Sequence, residues 1–316
     1  MVRPQPLERR LTSPPPHSDI SGRSLFTSIR SGQSTKETAA MAPSSLRSPE
    51  IRIIADIPYR EVDKEYWRLD LALPASPVSS PVPLIVVVHG GGWCACDKTS
   101  GMEQEFIRKY AHRGIACASV EYRLSQVAPF PAAVEDVKCA VRFLRAHAEK
   151  FGLDPNRFGA QGHSAGGHLV AMLGLVPPDA GLEGDGPYQE QSSMVQAVAP
   201  MSGVFDLTAH IEQRNDSAVH GFLAGPEETL LERAGKASPV SYVTAGAPPF
   251  LVIHGTNDDV VDVQQAVEFV QTMSAAGAKA DYKPIEDGDH GMYQMHRESI
   301  DVTLTAFFER TLEVTS

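Results

Sequence analysis

Cysteine and long apolar runs are scarce in this sequence, and each scarcity excludes a class of protein. The four cysteines, Cys94, Cys96, Cys117 and Cys139, form neither a disulfide framework nor a set with zinc-ligand spacing. No apolar run reaches the ~18–20 residues that a membrane-spanning helix needs, and the N-terminus lacks the apolar stretch of a signal peptide. We therefore expect reduced thiols, no metal, no membrane span and a cytoplasmic location.

Basic residues are also scarce relative to acidic ones. The chain has 28 Lys and Arg residues against 39 Asp and Glu residues, which gives a formal net charge of −11. An acidic chain of this kind disfavours binding to nucleic acid and to anionic membranes. We therefore expect a small-molecule substrate as the partner, and the sequence leaves assembly into a homo-oligomer open.

Residues 1–50 differ in composition from the remainder. They hold seven prolines, ten serines and a single aromatic residue, Phe26, without helical or strand periodicity. This composition predicts a disordered leader. Met41 is an alternative start of the natural chain. Residues 51–316 are then expected to form one catalytic domain.

Apolar strand-like runs alternate with helical patterns along residues 51–316. Residues 51–54 and 66–73 alternate apolar and polar positions, whereas residues 84–88 form a continuous β-branched run that is typical of a buried central strand. Repeated strand–helix units predict an α/β fold whose mostly parallel sheet is covered by helices on both faces. Residues 205–240 are polar, lack this pattern, and are interpreted as an irregular lid or binding insertion.

Residues 162–166 read Gly-His-Ser-Ala-Gly and lie between a strand-like run and an Ala/Leu-rich helical run. This context is typical of a nucleophile elbow, in which the serine stands on a strained turn and flanking side chains must be small. We therefore predict Ser164 as a nucleophile. The motif alone is weak, because chance supplies such a pattern in some chains, and it needs support from other residues.

The serine hydroxyl needs a general base, because it is a poor nucleophile at neutral pH. His290 lies in a glycine-rich loop after the last predicted strand, at the sheet edge where Ser164 also emerges. An orienting acid is expected after the preceding strand, and Asp258 is preferred there, although spacing does not separate it from Asp259. Ser, then Asp, then His is the chain order of α/β-hydrolases. His254, which ends that strand, is expected to be structural.

Three consecutive glycines follow the buried strand at residues 84–88. Acyl transfer passes through a tetrahedral oxyanion, which backbone N–H groups can stabilise. A glycine run lets these groups point into a site without side-chain obstruction, and it is costly in backbone entropy unless the chain must approach something closely. The N–H of Ala165, directly after the serine, is expected to complete this oxyanion hole.

With these motifs, the sequence between about residues 62 and 312 resembles the α/β-hydrolase esterases of the BD-FAE (feruloyl/acetyl esterase-like) and hormone-sensitive-lipase groups. The resemblance is carried by residues 89–93, 121–124, 128–132, 162–168, 183–186 and 254–258. It implies an α/β-hydrolase fold with a small lid, no cofactor, and Gly91 and Gly92 as the oxyanion donors beside Ala165. Two features depart from the groups: residues 1–50 lack the apolar stripes of a helical cap, and residues 158–161 are less apolar than a buried central strand.

The motifs and the resemblance together predict a carboxylic ester hydrolase that acts on short-acyl esters. Its triad would be Ser164, His290 and Asp258, and Trp93 and His163 are candidates for substrate contact. The alcohol part of the ester is left open between a sugar and a phenolic acid ester. The alternatives are an amidase, formamidase or peptidase with the same triad, or an α/β-hydrolase fold that binds a ligand without catalysis.

Overall fold

The computed structural model of the protein describes residues 50–62, 64–75 and 81–314. The predicted leader, residues 1–50, therefore lies outside the described residues except for Glu50, and the domain boundary at residue 50 stays a prediction. In the described part of the chain, no helix combines the length and the apolar character that crossing a membrane requires.

Among these residues, eight strands form one sheet in the order β1-β2-β4-β3-β5-β6-β7-β8. The strands are β1 (Arg52–Val62), β2 (Glu65–Leu73), β3 (Val82–Val88), β4 (Ala116–Val120), β5 (Leu153–His163), β6 (Ala197–Met201), β7 (Phe250–Gly255) and β8 (Ala280–Ile285). Strand β2 is antiparallel to both β1 and β4, and the other neighbours are parallel. The predicted mostly parallel central sheet is confirmed.

The helices connect these strands and cover the sheet. They are α1 (Gly101–His112), α2 (Ala132–Ala146), α3 (Ala148–Phe151), α4 (Ala165–Leu175), α5 (Leu207–Gln213), α6 (Ser217–Phe222), α7 (Leu230–Ala237), α8 (Gln264–Ala275) and α9 (Tyr293–Thr311). Apolar side chains of α2, α4 and α8 belong to one buried cluster, and those of α1 and α9 belong to a second. The sheet separates two apolar layers, as the sequence predicts.

The apolar run in β3 explains how the two layers meet. All seven residues of the strand are buried. Val86 and Val88 belong to the cluster with α2 and α4, whereas Ile85 and Val87 belong to the cluster with α1 and α9. Successive side chains of a strand point to opposite faces, so a strand covered on both sides must be apolar throughout.

The low apolar content of β5 has a packing explanation. A methyl group built at Gly159 would lie 2.8 Å from the Phe308 ring, so the absence of a side chain lets α9 approach the sheet. The buried Gln161 accepts a hydrogen bond of 2.6 Å from the Tyr110 hydroxyl through its Oε1. The Phe308 ring therefore excludes a side chain at Gly159, and Gln161 has a polar partner in the core, so β5 lies at the centre of the sheet with few apolar residues.

Residues 205–240 correct the sequence-based interpretation, because they are helical rather than irregular. They contain α5, α6 and α7. Asp206 and Asp216 cap the first two of these helices by accepting hydrogen bonds from the N–H groups of Ala209 and Ala218. Helices α5 and α6 are too short to show a clear apolar period, whereas in α7 the buried Leu230, Ala234 and Ala237 do recur at helical spacing. The lid role of the segment stays a prediction.

Candidate active site

Ser164 lies between the end of β5 and the first turn of α4, at the carboxyl edge of the sheet. Its backbone has φ 57° and ψ −123°, a strained conformation for a residue with a side chain. A methyl group built at Gly162 would lie 2.5 Å from the Gly166 backbone, and one built at Gly166 would lie 2.1 Å from the carbonyl oxygen of Val88. The two glycines therefore permit the turn that lifts Ser164 out of the sheet, as the motif predicts.

A chain of hydrogen bonds joins Ser164 to His290 and Asp258. His290 Nε2 lies 2.9 Å from Ser164 Oγ, and His290 Nδ1 lies 2.8 and 3.0 Å from the two carboxylate oxygens of Asp258. A carboxylate only accepts, so Nδ1 carries the proton and donates it to Asp258. Nε2 is then the acceptor for the Ser164 hydroxyl, which is the orientation that general-base catalysis requires.

The structure brings Asp258, rather than Asp259, to His290. The Asp258 side chain is fully buried, and its Oδ1 also accepts hydrogen bonds from the N–H groups of Val260 at 3.0 Å and Val261 at 2.9 Å. Asp259 is exposed and belongs to the surface. Two adjacent residues in a turn point in different directions, which spacing along the sequence does not resolve.

His254 contacts the same carboxylate. Its Nε2 lies 3.0 Å from the carbonyl oxygen of Val261 and 3.3 Å from Asp258 Oδ2. Burial alone would raise the pKa of Asp258, but hydrogen bonds from His254, His290 and the Val261 N–H hold that pKa well below its usual range. Asp258 is therefore ionised when His290 gains a proton. The contact between His254 and Asp258 was not predicted from the sequence. The available signal was the spacing of four residues between them.

Residues 90–96, which we call the glycine loop, lie beside Ser164. Gly91 has φ 101° and Gly92 has φ 57°, both in the region that favours glycine. A methyl group built at Gly91 would lie 2.3 Å from the Ala95 carbonyl oxygen. Within the described chain, the N–H groups of Gly91, Gly92 and Ala165 donate to no other group. They are free to receive a ligand oxygen, as expected for the predicted oxyanion donors.

Trp93 belongs to the glycine loop and holds it in place through its buried ring. The side chain is buried, with 3% of its surface exposed, and its ring stacks on Phe222 of α6 at 4.6 Å. Its Nε1 donates to His168 Nδ1 at 3.1 Å, and His168 Nε2 donates to the Ala237 carbonyl at 2.7 Å. Burial lowers the pKa of His168 to about 4, which keeps the ring neutral and able to accept. The predicted contact of Trp93 with substrate stays a prediction, and its burial does not favour it.

His163 lies next to the serine and lines a cavity of about 400 Å³. Its Nε2 donates to the His290 carbonyl at 2.8 Å, and the two rings lie 4.8 Å apart. Burial, and then the positive charge that His290 can carry, lower the pKa of His163 to about 4. A neutral His163 does not compete as the base. The cavity is also lined by Met102, Glu105, Gly291, Tyr293, Gln294 and Arg297, and an ion pair joins Glu105 to Arg297 across it.

A larger cavity of about 690 Å³ lies elsewhere and is lined by charged side chains, including Arg60 and Glu183. Glu183 belongs to the motif at residues 183–186, and its carboxylate pairs with the buried Lys138 at 2.6 Å and also with Arg142. Ser193 donates to the same carboxylate at 2.8 Å. This motif therefore neutralises buried cations of α2. None of the predicted triad lines this cavity or the cavity beside His163, so the candidate site is identified by the hydrogen-bonded chain around Ser164.

Among the residues that the structure describes, no cluster of three or more His, Cys, Asp or Glu side chains is placed to hold a metal ion. The arrangement around Ser164 can activate a hydroxyl, neutralise an imidazolium and stabilise an oxyanion with backbone donors alone.

Curated relatives and solved structures similar to this chain are esterases. "Probable carboxylic ester hydrolase LipM" of Mycobacterium tuberculosis is 32% identical over 231 residues, which cover 69% of this chain and 51% of that protein. The chain spans about half the length of the curated relatives it matches. A truncated carbohydrate esterase from gut microbiota is 28% identical with a TM-score of 0.75, and the match covers 83% of this chain and 97% of that one.

An esterase of Thermogutta terrifontis, solved with propionate bound, is also similar, with 28% identity and a TM-score of 0.66 over 84% of this chain and 96% of that one. The same esterase, solved with butyrate bound, gives a TM-score of 0.67 at 28% identity over 84% of this chain and 96% of that one. These likenesses agree with the α/β-hydrolase resemblance of the sequence. Since the BD-FAE family model matches residues 69–273, well over half of the sequence, the chain belongs to the BD-FAE family.

Proposed function

We propose that the protein is a carboxylic ester hydrolase that works through a covalent acyl-enzyme on Ser164. The observation that carries the proposal is the hydrogen-bonded chain from Ser164 Oγ to His290 Nε2, and from His290 Nδ1 to the buried Asp258 carboxylate. The family membership and the esterase relatives support the same reaction.

In the acylation step, Ser164 Oγ attacks the ester carbonyl while His290 Nε2 takes the hydroxyl proton. The imidazolium that forms lies against the Asp258 carboxylate, whose low pKa keeps it ionised. The tetrahedral intermediate collapses, His290 returns the proton to the leaving alcohol, and the acyl group remains on Ser164. Water then repeats the sequence with His290 as base and frees the acid.

The negative oxygen of each tetrahedral intermediate would bind to the N–H groups of Gly91, Gly92 and Ala165. These groups have no other acceptor in the described chain, and the preceding Gly90 packs on the nucleophile, since a methyl group built there would lie 3.4 Å from Ser164 Cβ. Because their positions are set before the substrate arrives, they stabilise charge without reorganisation. Removing one such donor typically costs about 3 kcal/mol of transition-state stabilisation.

We propose short-acyl esters as the substrates, with the alcohol part left open between a sugar and a phenolic acid ester. The similar esterase of Thermogutta terrifontis is described with propionate and with butyrate bound, and another similar structure is a carbohydrate esterase. The cavity of about 400 Å³ has the volume for a short ester, and His163 and Gly291, the chain neighbours of Ser164 and His290, line it, whereas the triad residues do not. His163 would contact the substrate at its wall.

Turnover of p-nitrophenyl acetate by the wild type and Ser164→Ala tests the activity, and a series of acyl chains from C2 to C12 tests the acyl length. Loss of turnover in the variant is expected, with preference for the short end of the series. If the wild type is inactive towards esters but active towards amides, the protein is instead an amidase, formamidase or peptidase that uses the same triad. Inactivity towards both would favour a ligand-binding protein. A preference for C10 or longer would contradict the short-acyl proposal.

We also propose a cytoplasmic location, with support from four cysteines that are all free thiols. Cell fractionation tests it. Assembly into a homo-oligomer stays a prediction. Light scattering, which measures the mass of the protein in solution, tests it.

A further inference from the structure

We propose that Cys94 and Cys96 form a thiol modification site, at which a low-molecular-weight disulfide of the glutathione class switches off ester turnover by displacing the glycine loop. The inference rests on the proposed ester hydrolase function. Both cysteines belong to the glycine loop, follow Gly91 and Gly92 within a few residues, and have exposed side chains.

The two thiols differ from the other cysteines of the chain in accessibility. Cys117 and Cys139 are buried, each with no exposed surface. Burial raises the pKa of Cys117 well above its usual range and that of Cys139 to about 11, so these thiols stay protonated and out of reach of a reagent. Reaction with a soluble disulfide is therefore confined to Cys94 and Cys96, and the buried pair serves as an internal control.

The sulfur atoms lie against the glycines that carry the predicted oxyanion donors. A methyl group built at Gly91 would lie 3.1 Å from Cys96 Sγ, and one built at Gly92 would lie 3.8 Å from Cys94 Sγ. Cys94 Sγ also lies 3.6 Å from the Gly91 carbonyl oxygen. A group attached to either sulfur therefore begins within van der Waals reach of the loop backbone.

The loop has little freedom to absorb such a group. The Gly91 carbonyl accepts hydrogen bonds from the N–H groups of Cys94 at 3.1 Å and Ala95 at 3.0 Å, which close a tight turn. Cys96 has φ 69°, an uncommon conformation for a residue with a side chain. We infer that a bulky substituent which packs against the loop, where both sulfurs already touch the glycines, breaks these bonds or shifts the turn. Either change moves the N–H groups of Gly91 and Gly92, the predicted oxyanion donors.

The chemistry is a thiol–disulfide exchange. The thiolate of Cys94 or Cys96 attacks one sulfur of oxidised glutathione, the reagent's S–S bond breaks, and a protein–glutathione mixed disulfide forms. One glutathione thiolate leaves and takes up the proton that the cysteine released. The protein sulfur is oxidised and the departing sulfur is reduced. Dithiothreitol reverses the exchange by the same route.

The test incubates the full chain with oxidised glutathione at pH 8, then measures intact mass and turnover of p-nitrophenyl acetate. We expect glutathione adducts that map to Cys94 or Cys96, and a fall in kcat of about 10²-fold, the scale of one lost oxyanion donor. Dithiothreitol should restore activity. Methyl methanethiosulfonate, which adds only an S-methyl group, should lower kcat much less, because the effect depends on bulk.

The matched control is the double variant Cys94→Ser/Cys96→Ser, which should turn over the ester before treatment and keep its activity after it. Full activity of a wild type that carries the adduct would overturn the proposal, as would equal inhibition of the double variant or adducts at Cys117 or Cys139. An untreated enzyme without any turnover would instead overturn the ester hydrolase proposal.

Discussion

His254 and Asp258 lie four residues apart and meet in the interior, where His254 Nε2 is 3.3 Å from Asp258 Oδ2 and both side chains are fully buried. This contact adds a donor to the carboxylate that faces His290. His254 therefore acts as a positioning residue, because it touches Asp258 and not the reacting atoms. Its Nδ1 has no hydrogen-bond partner in the described chain, so its support for the site depends on Nε2.

Replacing His254 with Ala should lower kcat roughly tenfold with little change in KM, since it misplaces Asp258 and His290 without altering the substrate cavity. His254→Gln keeps an N–H donor and should recover most of that loss. The pKa of Asp258 should rise in the Ala variant, because its carboxylate loses the hydrogen bond from His254. Equal kcat values for Ala and Gln would contradict a role in positioning.

The two adjacent carboxylates should behave differently. Asp258→Asn removes the charge and the acceptor that hold His290, and we expect kcat to fall by about 10⁴-fold. Asp259→Asn is the matched control, because its side chain is exposed, and it should stay within about twofold of the wild type, the range of an ordinary surface change. Steady-state kinetics of both variants tests which of the two carboxylates orients His290. A large loss in Asp259→Asn alone would move the acid role to that residue.

Gly91→Ala should damage catalysis more than stability. The new methyl group would meet the Ala95 carbonyl at 2.3 Å and displace the glycine loop. We expect kcat to fall by about 10²–10³-fold. Gly114→Ala is the control for backbone strain, because Gly114 has φ 81° and no atom within 4 Å of a built methyl group. It should cost about 1 kcal/mol of unfolding free energy and leave kcat unchanged. A similar kcat for the two variants would refute the loop's role.

His168 should make stability depend on pH. Its pKa is lowered to about 4 in the folded protein, against 6.5 for an unperturbed ring. A histidine with a lowered folded pKa gives its full stabilisation above pH 6.5, and the unfolding free energy falls as pH drops towards 4. This residue should account for a loss of about 3 kcal/mol, because one pKa unit is worth about 1.4 kcal/mol.

Urea unfolding at pH 8, 6, 5 and 4 measures that loss, and His168→Gln is the control. Glutamine can accept from Trp93 and donate to the Ala237 carbonyl, as the histidine does, but it does not titrate. The variant should therefore lose less stability on acidification than the wild type. Parallel curves for the two proteins would show that His168 does not carry the pH dependence.

The sheet and the candidate site were predictable where one local rule dominates. A strand buried on both faces must be apolar throughout, so residues 84–88 identify β3 directly. A strained turn needs small neighbours, so the glycines around Ser164 mark the elbow. Parallel strands share a carboxyl edge, which places the loops after β3, β5, β7 and β8 together.

Features that depend on tertiary contacts were not predictable. Asp258 and Asp259 are equivalent in spacing, and only the packing of the β7 turn buries one of them. Trp93 was a candidate for substrate contact, but the ring packs on Phe222, which lies in α6, a helix of six residues that is too short to show a clear apolar period. The role of the insertion depends on contacts distant in sequence, which a local pattern does not reveal.

Rapid-quench mass spectrometry during turnover of p-nitrophenyl acetate shows whether Ser164 forms a covalent acyl-enzyme. A burst of p-nitrophenol should accompany the addition of one acetyl group to the peptide that contains Ser164. Ser164→Ala should show neither, and Asp258→Asn should form the same adduct far more slowly. An acetyl group on another residue, or steady turnover by Ser164→Ala at the wild-type rate, would contradict the account.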